Sequence, residues 1–238
     1  MKLKLILKDG TELVGESFGY SLKKGQEIHG EVVFNTSMVG YPESLTDPSY
    51  RGQILVLTYP MIGNYGVPSE QMVDNVSKLL ESGKIHLRGL VVSEYCEKES
   101  HWDAKKTLAD FLKKHKIPAI RGVDTRALTQ KLREHGVMLG KITDISTTRT
   151  AKTAFLDPNA SNLVAEVSCA KKIVLPPLTV RAGKPKGKAR ATVAMIDCGA
   201  KHNIIRSFLD RGARIIRLPW DFDLSKVKEK YDGVFLSN

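Results

Sequence analysis

Apolar and polar positions follow one rhythm over the first two thirds of the chain and another near its end. Residues 4–8 and 12–14 flank Asp9-Gly10, two runs around a tight-turn former that predict a β-hairpin. Residues 31–34, 54–58 and 90–93 are short β-branched runs, read as further strands. Helical spacing follows. Ser100-His101-Trp102-Asp103 has a capping-box pattern, Leu108, Phe111, Leu112 and His115 recur at helical intervals, and Pro118 stops the segment. Asp124 is placed to cap a second helix through Leu128 and Leu132, with Gly136 as its C-terminal stop. Residues 137–142 return to strand character.

Beyond residue 192 the pattern becomes strand, helix, strand, helix, strand. The strands are 193–196, 214–218 and 233–236. Ile204, Ile205, Phe208 and Leu209 form one face of a helix ending at Gly212, and 224–230 is a short helix candidate. Short connections between such elements predict the start of an open parallel sheet. Ligands bind such sheets at the carboxyl ends of the strands. Here those ends are Asp197 to Lys201, Pro219-Trp220-Asp221 and Ser237-Asn238. Three strands leave an edge uncovered, so this region reads as an incomplete domain. The expected organisation is a domain over 1–168, a basic linker over 169–191 and an incomplete domain over 192–238.

Composition narrows the classes. The chain has 238 residues, 42% hydrophobic and 26% charged, ordinary for a soluble globular protein. No apolar run approaches the ~20 residues of a bilayer helix, so no membrane association is expected. Lys2, Lys4 and Lys8 interrupt any signal-peptide core, and the three cysteines, Cys96, Cys169 and Cys198, are odd in number and far apart. That favours a reducing compartment, the cytoplasm, over a disulfide framework. The net charge of +11 raises nucleic acid as a partner. Between Glu166 and Asp197, however, there is no acidic residue, while Lys171, Lys172, Arg181, Lys184, Lys186, Lys188 and Arg190 fall there among prolines and glycines. This composition is that of a solvated linker, and it has no aromatic residue to stack a base, so no nucleic-acid partner is expected.

Few residues declare chemistry by themselves. Asp47-Pro48-Ser49-Tyr50 is a good turn sequence, structural first, that could present Ser49. Cys198 at a strand-to-helix turn, with His202 four residues on, is thinkable as a nucleophile pair. The sharp nucleophile turn, of the G-x-C-x-G kind, needs small residues on both sides, and Asp197-Cys198-Gly199 lacks the leading glycine, so a structural cysteine is the better reading. Lys201 at a helix start opposes the helix dipole, which hints at an anionic partner; a solvated lysine is the plainer alternative. No phosphate-loop spacing occurs, and His29, His86, His101, His115 and His135 lack metal-ligand spacing, so no metal is expected.

A set of longer motifs carries more. Gly30-Glu-Val-Val-Phe-Asn-Thr36, Gly40-Tyr-Pro-Glu43, Leu45-Thr-Asp-Pro-Ser-Tyr50, Leu57-Thr-Tyr-Pro60, Ile62-Gly-Asn64 and Gly122-Val-Asp-Thr-Arg-Ala-Leu-Thr129 resemble the small, glutaminase subunit of carbamoyl phosphate synthetase. So do Asp197-Cys-Gly-Ala-Lys201, Arg211-Gly212 and Phe235-Leu-Ser-Asn238, in order along nearly the whole chain. Ser100-His-Trp102, Leu156-Asp-Pro-Asn159 and Pro219-Trp-Asp221 resemble the form fused into eukaryotic pyrimidine-synthesis polypeptides.

The resemblance implies an α/β fold: a layered β/β/α N-terminal domain, then the first strands of a doubly wound class I glutamine amidotransferase domain. It implies an enzyme in which a Cys-His-Glu triad frees ammonia from glutamine. A large subunit or fused synthetase domain then uses that ammonia for the pyrimidine or arginine pathway. Ser49 matches a family serine that contacts bound glutamine, Lys201 a lysine at the glutamine site, and Asn238 the first residue of a glycine-rich turn lining the pocket. Cys198 does not match the family nucleophile, so no catalytic residue is expected in this chain. No cofactor is expected in it either, ATP and magnesium belonging to the synthetase part. Two alternatives stay open: a non-catalytic docking module for the synthetase subunit, and an ammonia-dependent homologue. The ammonia-only relatives tend to carry alanine at the position of Ser49.

Overall fold

A computed structural model describes residues 1–146, 154–177 and 189–238. The chain forms two compact units, Met1–Ser69 with Lys84–Ser161, and Glu70–Gly83 with Asn162–Asn238. Each is described by itself.

In the first unit, β1 (Lys2–Leu7) and β2 (Glu12–Ser17) form the hairpin predicted around Asp9-Gly10, with Gly10 at φ 92°. They are followed by β3 (Glu27–Asn35), β4 (Gln53–Leu57), β5 (Gly89–Val91), β6 (Ala119–Arg121) and β7 (Met138–Asp144). The sheet closes on itself in the order β1-β7-β3-β4-β5-β6-β2, which leaves no open edge. Strands β3, β4, β5 and β6 run parallel to their neighbours in that series, and the other pairings are antiparallel. Alternation selects the core: Leu3, Leu5 and Leu7 of β1 meet Val32, Ile54, Val56 and Ile142. Glycine is required where barrel strands crowd. A Cβ at Gly15 would collide with the carbonyl of Arg121, and one at Gly140 would lie 2.5 Å from Val32.

Helices α1 (Tyr41–Thr46), α2 (Leu108–Lys114) and α3 (Thr125–His135) belong to this unit. Leu128 and Leu132 of α3 join the barrel core, and Asp124 Oδ1 accepts the Ala127 N–H at 2.9 Å, the cap its sequence predicts. The start of α2 differs from expectation. Its cap is Thr107, whose Oγ accepts the Asp110 N–H at 3.1 Å and donates to the Asp110 carboxylate at 2.9 Å. Thr107 directly precedes the first apolar helical residue; Ser100 lies too early and donates to the Asn64 carbonyl instead.

In the second unit, β8 (Ile173–Leu175), β9 (Ala191–Asp197), α4 (His202–Asp210), β10 (Ala213–Pro219) and β11 (Gly233–Leu236) build a sheet in the order β8-β10-β9-β11. Strands β9, β10 and β11 are parallel, as the strand–helix–strand pattern predicts, and β8 is antiparallel to β10. Strand β8 arises within the stretch read as linker. Leu175 is buried and Ile173 packs beside it, while Val174 faces out, a period-2 pattern confined between Lys172 and Pro176. Arg181, Lys184, Lys186 and Lys188 of that stretch lie outside the described residues. Residues 224–230, predicted as a helix, form only the single turn Leu224–Lys226, because Lys228, Glu229 and Lys230 offer no apolar face to bury.

The segment Glu70–Gly83 also packs here. Met72–Val73 and Val76–Ser77 pair across Asp74 and Asn75, both at positive φ, the geometry of a tight hairpin turn. Val76 enters the cluster of Met195, Ile205, Leu209 and Ile215.

Candidate functional site

Ser49 is presented by a framework of tyrosines and one asparagine. Gly40 takes φ 85° and opens α1. The Tyr65 hydroxyl accepts the Gly40 and Tyr41 N–H groups at 2.7 and 3.0 Å, filling donors that a helix start leaves unpaired. Tyr41 stacks on Tyr65 and donates to the Gly66 carbonyl at 2.7 Å; burial pushes both phenols above their ordinary range. At the other end of α1, Asp47 Oδ1 accepts the Ser49 N–H at 2.9 Å and starts the single turn Pro48–Tyr50. Asn35, the last residue of β3, donates to Ser44 Oγ and to the Tyr50 hydroxyl at 3.3 and 3.1 Å. The turn is thus held from both sides, while Ser49 is exposed and its hydroxyl engages no described residue.

Lys201 and Asn238 come together at the carboxyl end of the second sheet. The organiser is Asp197, wholly buried at the end of β9. Its Oδ1 accepts the N–H groups of Gly199 and Ala200 at 3.0 and 2.8 Å. Its Oδ2 accepts from the Cys169 N–H at 2.7 Å and from Arg217 Nε and Nη2 at 2.9 and 2.7 Å. Such a carboxylate, paired and fully hydrogen-bonded, fixes the turn that carries Lys201 to the start of α4. The Cys198 N–H donates to Ser237 Oγ at 2.8 Å, which ties β11 to this turn and lets exposed Asn238 emerge beside it.

Cys198 and His202 do not form a nucleophile and base. Burial, with the Asp197 charge, pushes the Cys198 thiol up, and Cys169 is pushed to about 11 by the same causes. Nucleophilic cysteines need the opposite shift. His202 Nδ1 accepts the Ser77 N–H at 2.8 Å, and burial, aided by the Arg217 and Arg206 charges, lowers the ring to about 4.

The start of α4 also carries the carboxylate a helix dipole favours. The Glu81 carbonyl accepts the His202 N–H at 2.8 Å and its carboxylate accepts the Asn203 N–H at 3.0 Å. An acidic residue of the chain itself thus stands at the helix start where Lys201 hinted at an anionic partner. Glu81 lies too far back in the chain for local pattern to reveal it. Among the described residues no group of His, Cys, Asp or Glu could hold a metal ion, and no helix is long and apolar enough to cross a membrane.

Comparison with known proteins adds relatives to this geometry. The family model described as carbamoyl-phosphate synthase small chain, CPSase domain, matches residues 5–142. The chain is 46% identical over 239 residues to the carbamoyl phosphate synthase arginine-specific small chain of Saccharomyces cerevisiae, covering 100% of this chain and 55% of that one. It is 45% identical over 257 residues to multifunctional protein URA2 of the same yeast, covering 98% of this chain and 11% of that one. Multifunctional protein CAD of Squalus acanthias is 45% identical over 235 residues, with 98% and 10% covered. The chain thus spans about half the length of the arginine-specific small chain and about a tenth of the multifunctional proteins.

Proposed function

The chain belongs to the carbamoyl-phosphate synthase small-chain family, and from that premise we propose that it supplies part of the glutamine-binding component of a glutamine-dependent carbamoyl phosphate synthase. The observation that carries the reading is the relationship itself, 43–46% identity across nearly the whole chain. Ser49 fits a glutamine contact because its hydroxyl is exposed on a turn braced by Asp47 and Asn35. Lys201 and Asn238 fit because both stand at the strand ends of the second sheet, where open α/β sheets bind ligands. Glutamine offers a carboxylate for a lysine ammonium and amide groups for a serine hydroxyl and an asparagine side chain.

The hydrolytic thiol is supplied by residues outside this set. Burial and the Asp197 charge push the Cys169 and Cys198 thiols up, away from the thiolate a nucleophile needs, and Cys96, in Glu94-Tyr95-Cys96-Glu97, is not in a nucleophile turn. In this reading ammonia freed from glutamine passes to a separate or fused synthetase part, which binds ATP and magnesium and forms carbamoyl phosphate for the pyrimidine or arginine pathway. Serine rather than alanine at position 49 favours glutamine use over the ammonia-dependent alternative.

The test is Ser49→Ala in a complete synthase containing this chain. The expected result is a KM for glutamine raised about tenfold, the worth of one hydrogen bond to a polar ligand, with ammonia-dependent synthesis unchanged. Unaltered glutamine kinetics, or an equal loss of the ammonia-dependent rate, would overturn it.

A further inference from the structure

The motifs Phe34-Asn35-Thr36, Leu57-Thr58 and Gly122 to Thr129 leave the glutamine reading with residues to spare, and in the barrel they converge. Strands β3, β4, β5 and β6 are parallel and end side by side. Just beyond those ends Thr36, Thr58, Ser93 and the first turns of α3 line a cleft of about 500 Å³. The Gly122 N–H donates to the Ser93 carbonyl at 2.8 Å, and Gly122 takes φ 82°, which aligns the start of α3 with the ends of the strands. Parallel strand ends facing a helix N-terminus are a recurrent setting for ligands.

The polar groups of this cleft are open. Asp124 uses Oδ1 to accept the Ala127 N–H, and the Thr125 and Arg126 N–H groups find no acceptor among the described residues. Thr125 lines the cleft, is only 3% exposed, and its hydroxyl makes no hydrogen bond to a described residue. Thr129, one turn along on the same helix face, has a buried Oγ with no partner among the described residues. Buried hydroxyls are nearly always satisfied, so the orphaned Thr129 Oγ, together with a Thr125 side chain that lines the cleft and bonds no described residue, points to an occupant that accepts hydrogen bonds. The Arg126 side chain lines the same cleft.

We propose that this cleft binds a small oxyanion, a phosphate or carboxylate group, through the Thr125 and Arg126 N–H groups, the Thr125 hydroxyl and the Arg126 guanidinium. The Asp124 carboxylate stands at the same helix start, so the charge balance is near neutral and the site is weak. Its occupant exchanges rather than remaining resident.

The experiment titrates the amide-labelled 238-residue chain with inorganic phosphate and, separately, with acetate, at constant ionic strength held by chloride. The expected result is a saturable shift of the Thr125 and Arg126 amide resonances by at least one of the two anions, which identifies its class. Thr125→Val removes one hydrogen bond to a charged group and should weaken binding about tenfold. Arg126→Gln, at an exposed position where folding is not at stake, should weaken it as well. Shifts that stay linear in anion concentration, or that saturate equally in both variants, would overturn the proposal.

Discussion

The two units bring parallel strand ends to the start of a helix and then use them in opposite ways. In the second sheet the buried Asp197 carboxylate takes up three N–H groups and Arg217, while Glu81 fills the start of α4. In the barrel the acidic residue stands three residues beyond the strand end, as the cap Asp124, and serves a single N–H. Around it the Thr125 and Arg126 N–H groups and the buried Thr129 hydroxyl have no partner among the described residues. The same local grammar of strand, turn and helix thus gives a rigid, saturated turn in one case and a receptive cleft in the other. What differs is where one carboxylate sits relative to the end of the strand.

The saturated turn should be the costlier of the two to disturb. Asp197→Ala strands the Arg217 charge and three N–H groups, so about 3–5 kcal/mol of stability should be lost, measured by urea unfolding. A loss under about 1 kcal/mol would show that the turn does not depend on its carboxylate. The same region should be acid-sensitive. Folded His202 binds its proton only near pH 4, against 6.5 for the ordinary ring. Between those values the unfolded state holds more protons, so stability rises with pH through the window and is flat above it, by about 3 kcal/mol in total. His202→Asn, which keeps an acceptor for the Ser77 N–H, should remove that slope; an unchanged slope would assign it elsewhere.

On the barrel side, Gly15→Ala tests closure. Its Cβ meets the Arg121 carbonyl across β2 and β6, and relief of that overlap should cost about 1–3 kcal/mol in the same unfolding measurement. The smallest effect belongs to Asp124→Asn. Asparagine caps about as well as aspartate, so stability should change by only a few tenths of a kcal/mol. Removing the charge should tighten phosphate at the α3 start by a factor of about two to five, and weaker binding would contradict the placement of the site.

Much of this was legible in local pattern. The hairpin around Asp9-Gly10 and the Asp124 cap of α3 rest on interactions within a few residues, where turn chemistry speaks directly, and the β9-α4-β10 unit shows in the alternation of strand and helix periods although its strands pair some 22 residues apart. The turn presenting Ser49 was legible for the same reason, since Asp47 reaches only two residues on. What was hidden depends on distant partners. Closure of the barrel joins β1 to β7, Glu81 reaches the start of α4 from the segment Glu70–Gly83, and Tyr65 caps α1 from beyond β4. The strand β8 was masked by flanking lysines and prolines. The Thr107 cap was missed because Ser100-His-Trp-Asp103 offered the same pattern a few residues earlier.

The claim at the centre is that this chain contributes to binding glutamine and not to cutting it. Ammonia release from saturating glutamine by the 238-residue chain addresses it directly. The expected rate is the uncatalysed one, identical in Cys96→Ser, Cys169→Ser and Cys198→Ser. Turnover above that rate which disappears in any of the three variants would contradict it.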